Sequence, residues 1–502
     1  MLNKHQTIRL HTMILLCLML FIILLGRMVY LQLWRGDYYA KQSDGNRLRQ
    51  SKIIAPRGLI LDKDGKELVN NLPGYAVSLQ KQTKYDPEML QKLSVLIDMP
   101  LEKINERIKE SVNYYEPIRL KSNLPPDMVT KIEEQRRNLP DVLLEVQPIR
   151  TYPYKELAVH ALGYVGEVSA YEIENKLFPN VPQGSIVGKA GLEKSYDKYL
   201  RGTDGAFMEE VDGAGNVVQH FDTMKPIPGK NLRLTIDYRL QSALEKFTDQ
   251  HLSDLRRYGI APEARAAAVV AIDPRNGAVR AMVSRPGYDP NLFVNGISSK
   301  DWNEINNDRN YPMNNKVISG EYPPGSTFKI VTGSAAFELK KVTLDELIYD
   351  GGHHPLVPTM GNEGGEVLGW LDFIKGLAMS DNVYFYELGY RVGIDNIAKY
   401  ARIYGFGKPT GIDLEGESSG LVASKQVKRE IWNEDWRLGD TFNAAIGQGF
   451  NLATPIQLAM MLSVVANGGT KYQPYLVDSV LNGDGSEFAK PQRLAGKHID
   501  IS

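Results

Sequence analysis

Thirteen consecutive apolar residues, Met13 to Leu25, dominate the hydrophobic pattern of this chain, and no later stretch matches them. After Gly26 and Arg27 the apolar run resumes at Met28–Leu31. Met13–Trp34 thus totals 22 residues, close to the roughly 20 that cross a bilayer as a helix. Arg27 lies near the far end, where its long stem can reach the headgroups, and Tyr30 and Trp34 suit the interfacial aromatic belt. Lys4 and Arg9 precede the run and favour a cytoplasmic N-terminus. No small-x-small cleavage signal follows it. The pattern predicts a cytoplasmic tail (1–12), an uncleaved signal anchor (13–34), and the remainder of the chain on the outer side of the cytoplasmic membrane.

Past the anchor the pattern has two textures. Residues 35–230 are polar and mixed, with short strand-like runs and charged helical stretches. Within them Ala55–Gly65 reads as a strand entering a tight turn, with Asp64-Gly65 supplying the two positive-φ positions of a type I′ hairpin. From Pro87 to Arg137, Leu93, Leu96, Ile97, Leu101, Ile104 and Ile108 recur at helical spacing among charges. That stretch is expected to be mostly helical and surface-exposed. Gly188-Lys189 is followed by Ala190 where a phosphate cradle would carry Ser or Thr. From 231 to 502 strands come first: Leu232–Ile236 alternates, and Ala266–Ile272 returns through Asp273–Gly277 as Ala278–Val283. Helices follow after Ser326, Leu371, Ile394 and Thr454, and Tyr475–Phe488 reads as a hairpin around Asn482–Gly485. The expected fold class is α+β.

Composition removes other classes. Lys+Arg number 59 against 60 Asp+Glu, and 43% of residues are hydrophobic. The chain is too apolar for a disordered protein and too balanced in charge for a dedicated nucleic-acid binder. Cys17, the single cysteine, excludes an intramolecular disulfide and a Cys-rich zinc site.

Ser-x-x-Lys occurs at Ser78/Lys81, Ser195/Lys198 and Ser326/Lys329. Only the third has surroundings that suit chemistry. Tyr322-Pro323-Pro324-Gly325 breaks the chain just before Ser326, and Phe328, Val331, Ala335 and Leu339 mark one apolar helix face behind it. Ser326 is expected in the first turn of a buried helix, with Lys329 one turn along the same face. A serine hydroxyl needs a base beside it, and a lysine serves only where burial or a positive field lowers its pKa. The other two matches are read as ordinary structural serines. Ser380-Asp381-Asn382 adds a hydroxyl and an amide at a helix–helix junction, groups that can relay a proton and hold a peptide backbone.

Together these motifs resemble the penicillin-binding proteins and serine β-lactamases. Tyr322–Lys329, Asp273–Gly277, Tyr288-Asp289-Pro290-Asn291 and Ile446-Gly447-Gln448-Gly449…Thr454-Pro455 look like a class B penicillin-binding protein. Pro56–Asp62 and Gly188–Glu193 resemble that family's pedestal, and Asn291–Lys300 is most similar to the elongation-type members, the penicillin-binding protein 2 group. The resemblance implies a D,D-transpeptidase that cross-links peptidoglycan stem peptides during elongation, without a cofactor. Ser326 would be the nucleophile, Lys329 the base, Ser380 the proton relay and Asn382 the substrate anchor. Asp381, Gly447, Gln448 and Gly449 would line the substrate site. β-Lactams would acylate Ser326. The implied partners are a SEDS-type glycosyltransferase, a rod-shape scaffold protein and the membrane, with no nucleic acid.

One family motif is missing. A Lys-Ser/Thr-Gly strand is expected after Thr454, yet Lys408-Pro409-Thr410-Gly411 is interrupted and upstream, and Gly469-Thr470-Lys471 runs in the reversed order. That strand supplies an oxyanion donor, and losing one donor costs about 10²–10³ in rate. The expectation is a transpeptidase domain lacking its C-terminal part, with impaired turnover. The alternatives are a non-enzymatic scaffold of the elongation complex, or a β-lactamase or β-lactam sensor. Some elongation-type relatives also carry zinc near the S-D-N motif. His353-His354 and Asp350 are the candidate donors, but adjacent histidines point apart and no cysteine accompanies them, so a polar loop without metal is expected.

Overall fold

The computed structural model describes residues 4–35, 48–80, 82, 84–110, 117–179, 181–182, 184–211 and 217–501. Residues 1–3 of the expected tail, Lys81 of the first Ser-x-x-Lys match, and Ser502 lie outside the described residues. The apolar run is helical from Lys4 to Val29 and continues as a π-helical turn, Tyr30–Trp34. Among the described residues, Met13–Gln32 is the one segment long and apolar enough to cross a membrane.

The rest forms two compact units whose pieces alternate along the chain. One takes residues up to 55, 74–147 and 203–227; the other takes 56–73, 148–202 and 228–502. In the first unit, Leu48–Ile53, Gly205–Val211 and Val217–Met224 form an antiparallel three-stranded sheet. The stretch expected to be helical and exposed is built otherwise. Helices Pro87–Leu96 and Leu101–Glu110 are followed by a strand, Ile118–Leu124, and a helix, Pro126–Glu134. Leu93, Ile97 and Ile104 are fully buried and form this unit's core with Val77, Leu79 and Leu120. A stripe on each helix faces inward, and the flanking charges concealed the Ile118/Leu120 alternation.

In the second unit Asn231–Leu234 lies between two neighbours, parallel to Ile60–Leu61 and antiparallel to Val477–Leu481. Ile60 pairs in turn with Val69. The turn between them is not type I′, because Gly65 alone has positive φ, at 89°. Asp62 Oδ1 organises it by accepting the N–H groups of Asp64 (2.9 Å) and Lys66 (2.8 Å). Behind this sheet Arg57 bonds Glu193 (2.7 Å) and Asp197 (2.9 Å), and Arg150 bonds Glu193 (2.6 Å), all four side chains buried. Burial opposes ionisation of Glu193, but Arg150 and Arg57 hold its carboxyl below the usual range.

Ala267–Ile272 and Val279–Arg285 form the expected hairpin, packed on helix Tyr238–Arg257. The helical half centres on Lys329–Glu338, surrounded by Asn382–Val392, Ile394–Tyr404 and Leu438–Ala445. Phe328, Val331, Ala335, Phe385, Leu388, Ile397 and Phe442 are buried together there, and Leu339 packs against them half-buried. Helices Ser299–Asn306, Lys425–Trp432 and Leu438–Ala445 had no distinct signal in the apolar pattern.

Candidate active site

Ser326 lies in a 3-10 turn, Gly325–Phe328, and the α-helix proper begins at Lys329. This differs from the expected single α-helix. The Pro-Pro-Gly break admits Gly325 at φ +58°, and the chain needs one tight turn to recover helical geometry. Ser326 is consequently exposed, while Lys329 has no exposed surface.

Lys329 Nζ reaches across to the second motif. It donates to Ser380 O (2.6 Å), Ser380 Oγ (3.2 Å) and Asn382 Oδ1 (2.8 Å), with the Phe385 ring 5.5 Å away. Among the described residues, no carboxylate pairs with it directly. Burial lowers its pKa from 10.5 to about 8, and the charge of Asp381 works against that shift. About a tenth of the amine is therefore uncharged at neutral pH, which is what a base for a serine hydroxyl requires.

The Ser380–Asn382 motif joins helices Phe373–Ala378 and Asn382–Val392. Ser380 is exposed and sits in the left-handed region at φ +54°, a conformation that non-glycine residues adopt at a cost of about 1–2 kcal/mol. Asp381 is placed otherwise than expected of a substrate contact. It is 2% exposed, and its Oδ1 caps the following helix through Tyr384 N–H (2.5 Å) while Oδ2 accepts from Asn362 (2.8 Å). Burial raises its carboxyl above the ordinary value, and the charge and hydrogen bond of Asp350 add to that; Tyr384 N–H and Asn362 favour the ionised form.

Gly447 closes the third side. Its carbonyl accepts Gly325 N–H (2.8 Å), and Thr332 Oγ1 donates to Ala445 O (2.7 Å), tying the turn and helix around Ser326 to this loop. Gly447 has φ +73°, and a Cβ there would fall 2.3 Å from Gly325 O. Gln448 and Gly449 are exposed beside it. Ser326, Lys329, Ser380, Asn382 and Gly447 are thus gathered from three separate segments. Asn362, which the sequence did not mark, joins them through its contact with Asp381. It lies in a glycine-rich loop whose spacing carries no periodic signal.

The zinc candidates do not form a donor set. His354 is buried, with Nε2 3.0 Å from Glu387 Oε2 and Nδ1 accepting Leu356 N–H (3.3 Å), whereas His353 is exposed. Asp350 accepts from Gly352 N–H (2.7 Å), Leu368 N–H (2.7 Å) and Asn362 (3.0 Å). Among the described residues, no three His, Cys, Asp or Glu side chains are arranged to hold a metal ion.

An exposed serine one turn before a buried lysine of lowered pKa, with a hydroxyl and an amide bonded to that lysine, is the combination an active-serine acyltransferase uses. Residues 52–234 match the penicillin-binding protein dimerisation domain and residues 267–502 the penicillin-binding protein transpeptidase domain. The chain belongs to the penicillin-binding proteins, in the class B, elongation-type group. It is 32% identical over 476 residues to the peptidoglycan D,D-transpeptidase MrdA of Acinetobacter baumannii, covering 93% of this chain and 68% of that protein. The structure of Helicobacter pylori PBP2 in complex with MreC is similar at a TM-score of 0.74 and 26% identity, over 87% of this chain and 80% of that one. A chain of a peptidoglycan synthase complex that coordinates polymerization and crosslinking is similar at 0.68 and 30% identity, over 98% and 82%.

Proposed function

We propose that this protein is a peptidoglycan D,D-transpeptidase in which Ser326 forms the acyl-enzyme and Lys329 is its base. The observation that carries the assignment is the buried Lys329 amine, lowered to about 8 and held by Ser380 and Asn382 one turn after an exposed serine. Ser326 Oγ attacks the carbonyl of the penultimate D-alanine of a stem peptide, and its proton passes to the uncharged Lys329 Nζ. The tetrahedral intermediate collapses by breaking the amide bond. The departing D-alanine nitrogen takes a proton from the lysine through Ser380 Oγ, 3.2 Å from Nζ. The amine of a second stem peptide then attacks the ester, restoring Ser326 and forming the cross-link. Asn382 orients both Lys329 and the substrate backbone, and Gly447–Gly449 forms one wall of the site. Asp381 acts from beneath, as the cap of the Asn382 helix. A β-lactam acylates the same hydroxyl, and its leaving nitrogen stays tethered.

The helix Met13–Gln32 anchors the chain, and the basic flank at Lys4 and Arg9 keeps the N-terminus cytoplasmic. The catalytic unit then faces the cell wall, where its substrate lies. Its partners are a rod-shape scaffold protein of the MreC kind and a SEDS-type polymerase, in keeping with the assemblies in which similar chains occur.

The test is labelling with fluorescent penicillin. The parent chain gains a covalent label that Ser326→Ala loses entirely. Label persisting in Ser326→Ala defeats the assignment.

A further inference from the structure

The second motif rests on a half-buried hydrogen-bond network outside the reaction just described. Asn362 is its hub. Its Oδ1 accepts Asn382 N–H (2.8 Å) and Val383 N–H (3.4 Å), two of the donors left free at the start of helix Asn382–Val392. Its Nδ2 donates to Asp381 Oδ2 (2.8 Å), Asp350 Oδ2 (3.0 Å) and Glu366 O (3.1 Å). Asp350 and Asp381 are 1% and 2% exposed, and among the described residues neither forms a salt bridge within 4 Å. Two carboxyls this close and this dry cannot both stay ionised without donors between them. The amide provides those donors with one end and grips the catalytic helix with the other.

We propose that Asn362 is a positioning residue of the acyl-transfer site: it clamps the first turn of the Asn382 helix to the Asp350–Asp381 pair and so fixes Ser380 and Asn382 against Lys329. The inference rests on the functional reading above. Residue type matters at this place. Only a side chain with an acceptor and a donor on one planar group serves both the backbone N–H groups and the carboxyls. An aspartate has the same shape, but donates only while it holds a proton. An alanine keeps neither end.

That difference gives the experiment. In the full chain, rates of acylation by fluorescent penicillin are measured for the parent, Asn362→Ala and Asn362→Asp from about pH 6 to about pH 9. Asn362→Ala is expected to acylate at least about tenfold more slowly across the range. Asn362→Asp is expected to lie within about threefold of the parent at the acid end, where a protonated carboxyl still donates, and to fall at least about tenfold behind at the alkaline end. The second result is a slope measured on one preparation. Ionisation of the new carboxyl also lowers the folded fraction as pH rises, so the folded fraction of each variant is measured by circular dichroism at every pH and each rate is divided by it. An Asn362→Asp profile parallel to the parent's overturns the proposal, as does Asn362→Ala within about threefold of the parent. A parent chain that takes no label at Ser326 defeats the functional reading instead.

Discussion

Lys329 and Asn382 are 53 positions apart in the chain and joined by a 2.8 Å hydrogen bond from Nζ to Oδ1. That bond, with the two to Ser380, gives a buried amine three acceptors and, among the described residues, no carboxylate partner. The arrangement holds the amine in place without stabilising its charge enough to disarm it.

The first prediction concerns pH. Burial lowers the Lys329 pKa to about 8, and in the proposed mechanism the uncharged form is the base. Acylation by penicillin should rise with pH and level off above about 8. Lys329→Met, similar in volume but without the amine, should abolish it at every pH. A parent profile that is flat from about pH 6 to about pH 9 would contradict the role of the lysine.

Asp381→Ala should act in two directions. Loss of the helix cap costs about 1 kcal/mol of stability, seen as a lower thermal midpoint. The charge of Asp381 raises the Lys329 pKa, so its removal should shift the acylation midpoint to lower pH. A midpoint moving upward would mean that Asp381 does not act on the lysine electrostatically.

Gly447→Ala places a Cβ 2.3 Å from Gly325 O at a residue with φ +73°. The strain is on the order of 1–3 kcal/mol, and it is relieved only by moving the turn that carries Ser326. Slower acylation together with a lower melting temperature is the expected pair of results.

Arg57→Ala leaves Asp197 with only the half-exposed Arg201, 3.6 Å away, and Glu193 with Arg150 alone, both carboxylates buried. Breaking such a network costs about 3–5 kcal/mol. Denaturant unfolding of the variant should show that loss, and a change under about 1 kcal/mol would place water in the network.

Motifs that combine chemistry with a break in the chain were legible in the sequence. Ser326 and Lys329 stood out because Pro323-Pro324-Gly325 ends one element and an apolar face starts another. The hairpin at Asp273–Gly277 announced itself through turn residues between two alternating runs. The strand Ile118–Leu124 was hidden because the helical spacing of Leu101, Ile104 and Ile108 precedes it and its own Arg119 and Lys121 read as more of the same charged pattern. Asn362 was hidden for a different reason. Its importance comes from what the fold brings to it, the Asp381 and Asp350 carboxyls and the start of a helix 20 positions on, and no local spacing encodes that. Asp381 was recognised as part of a motif, but only burial reveals that it supports the site from below.

The strand Asn231–Leu234 borrows its parallel neighbour, Ile60–Leu61, from a stretch some 170 positions earlier, and the Arg57–Glu193–Arg150 cluster is drawn from the same early region. A single scissor cut near residue 230 would therefore not liberate the enzyme. It would bare a row of backbone hydrogen-bonding groups and remove side chains that belong to the enzyme's own interior. Gene order and architecture are out of step in this molecule, and the catalytic body is complete only when the early segments come back to it.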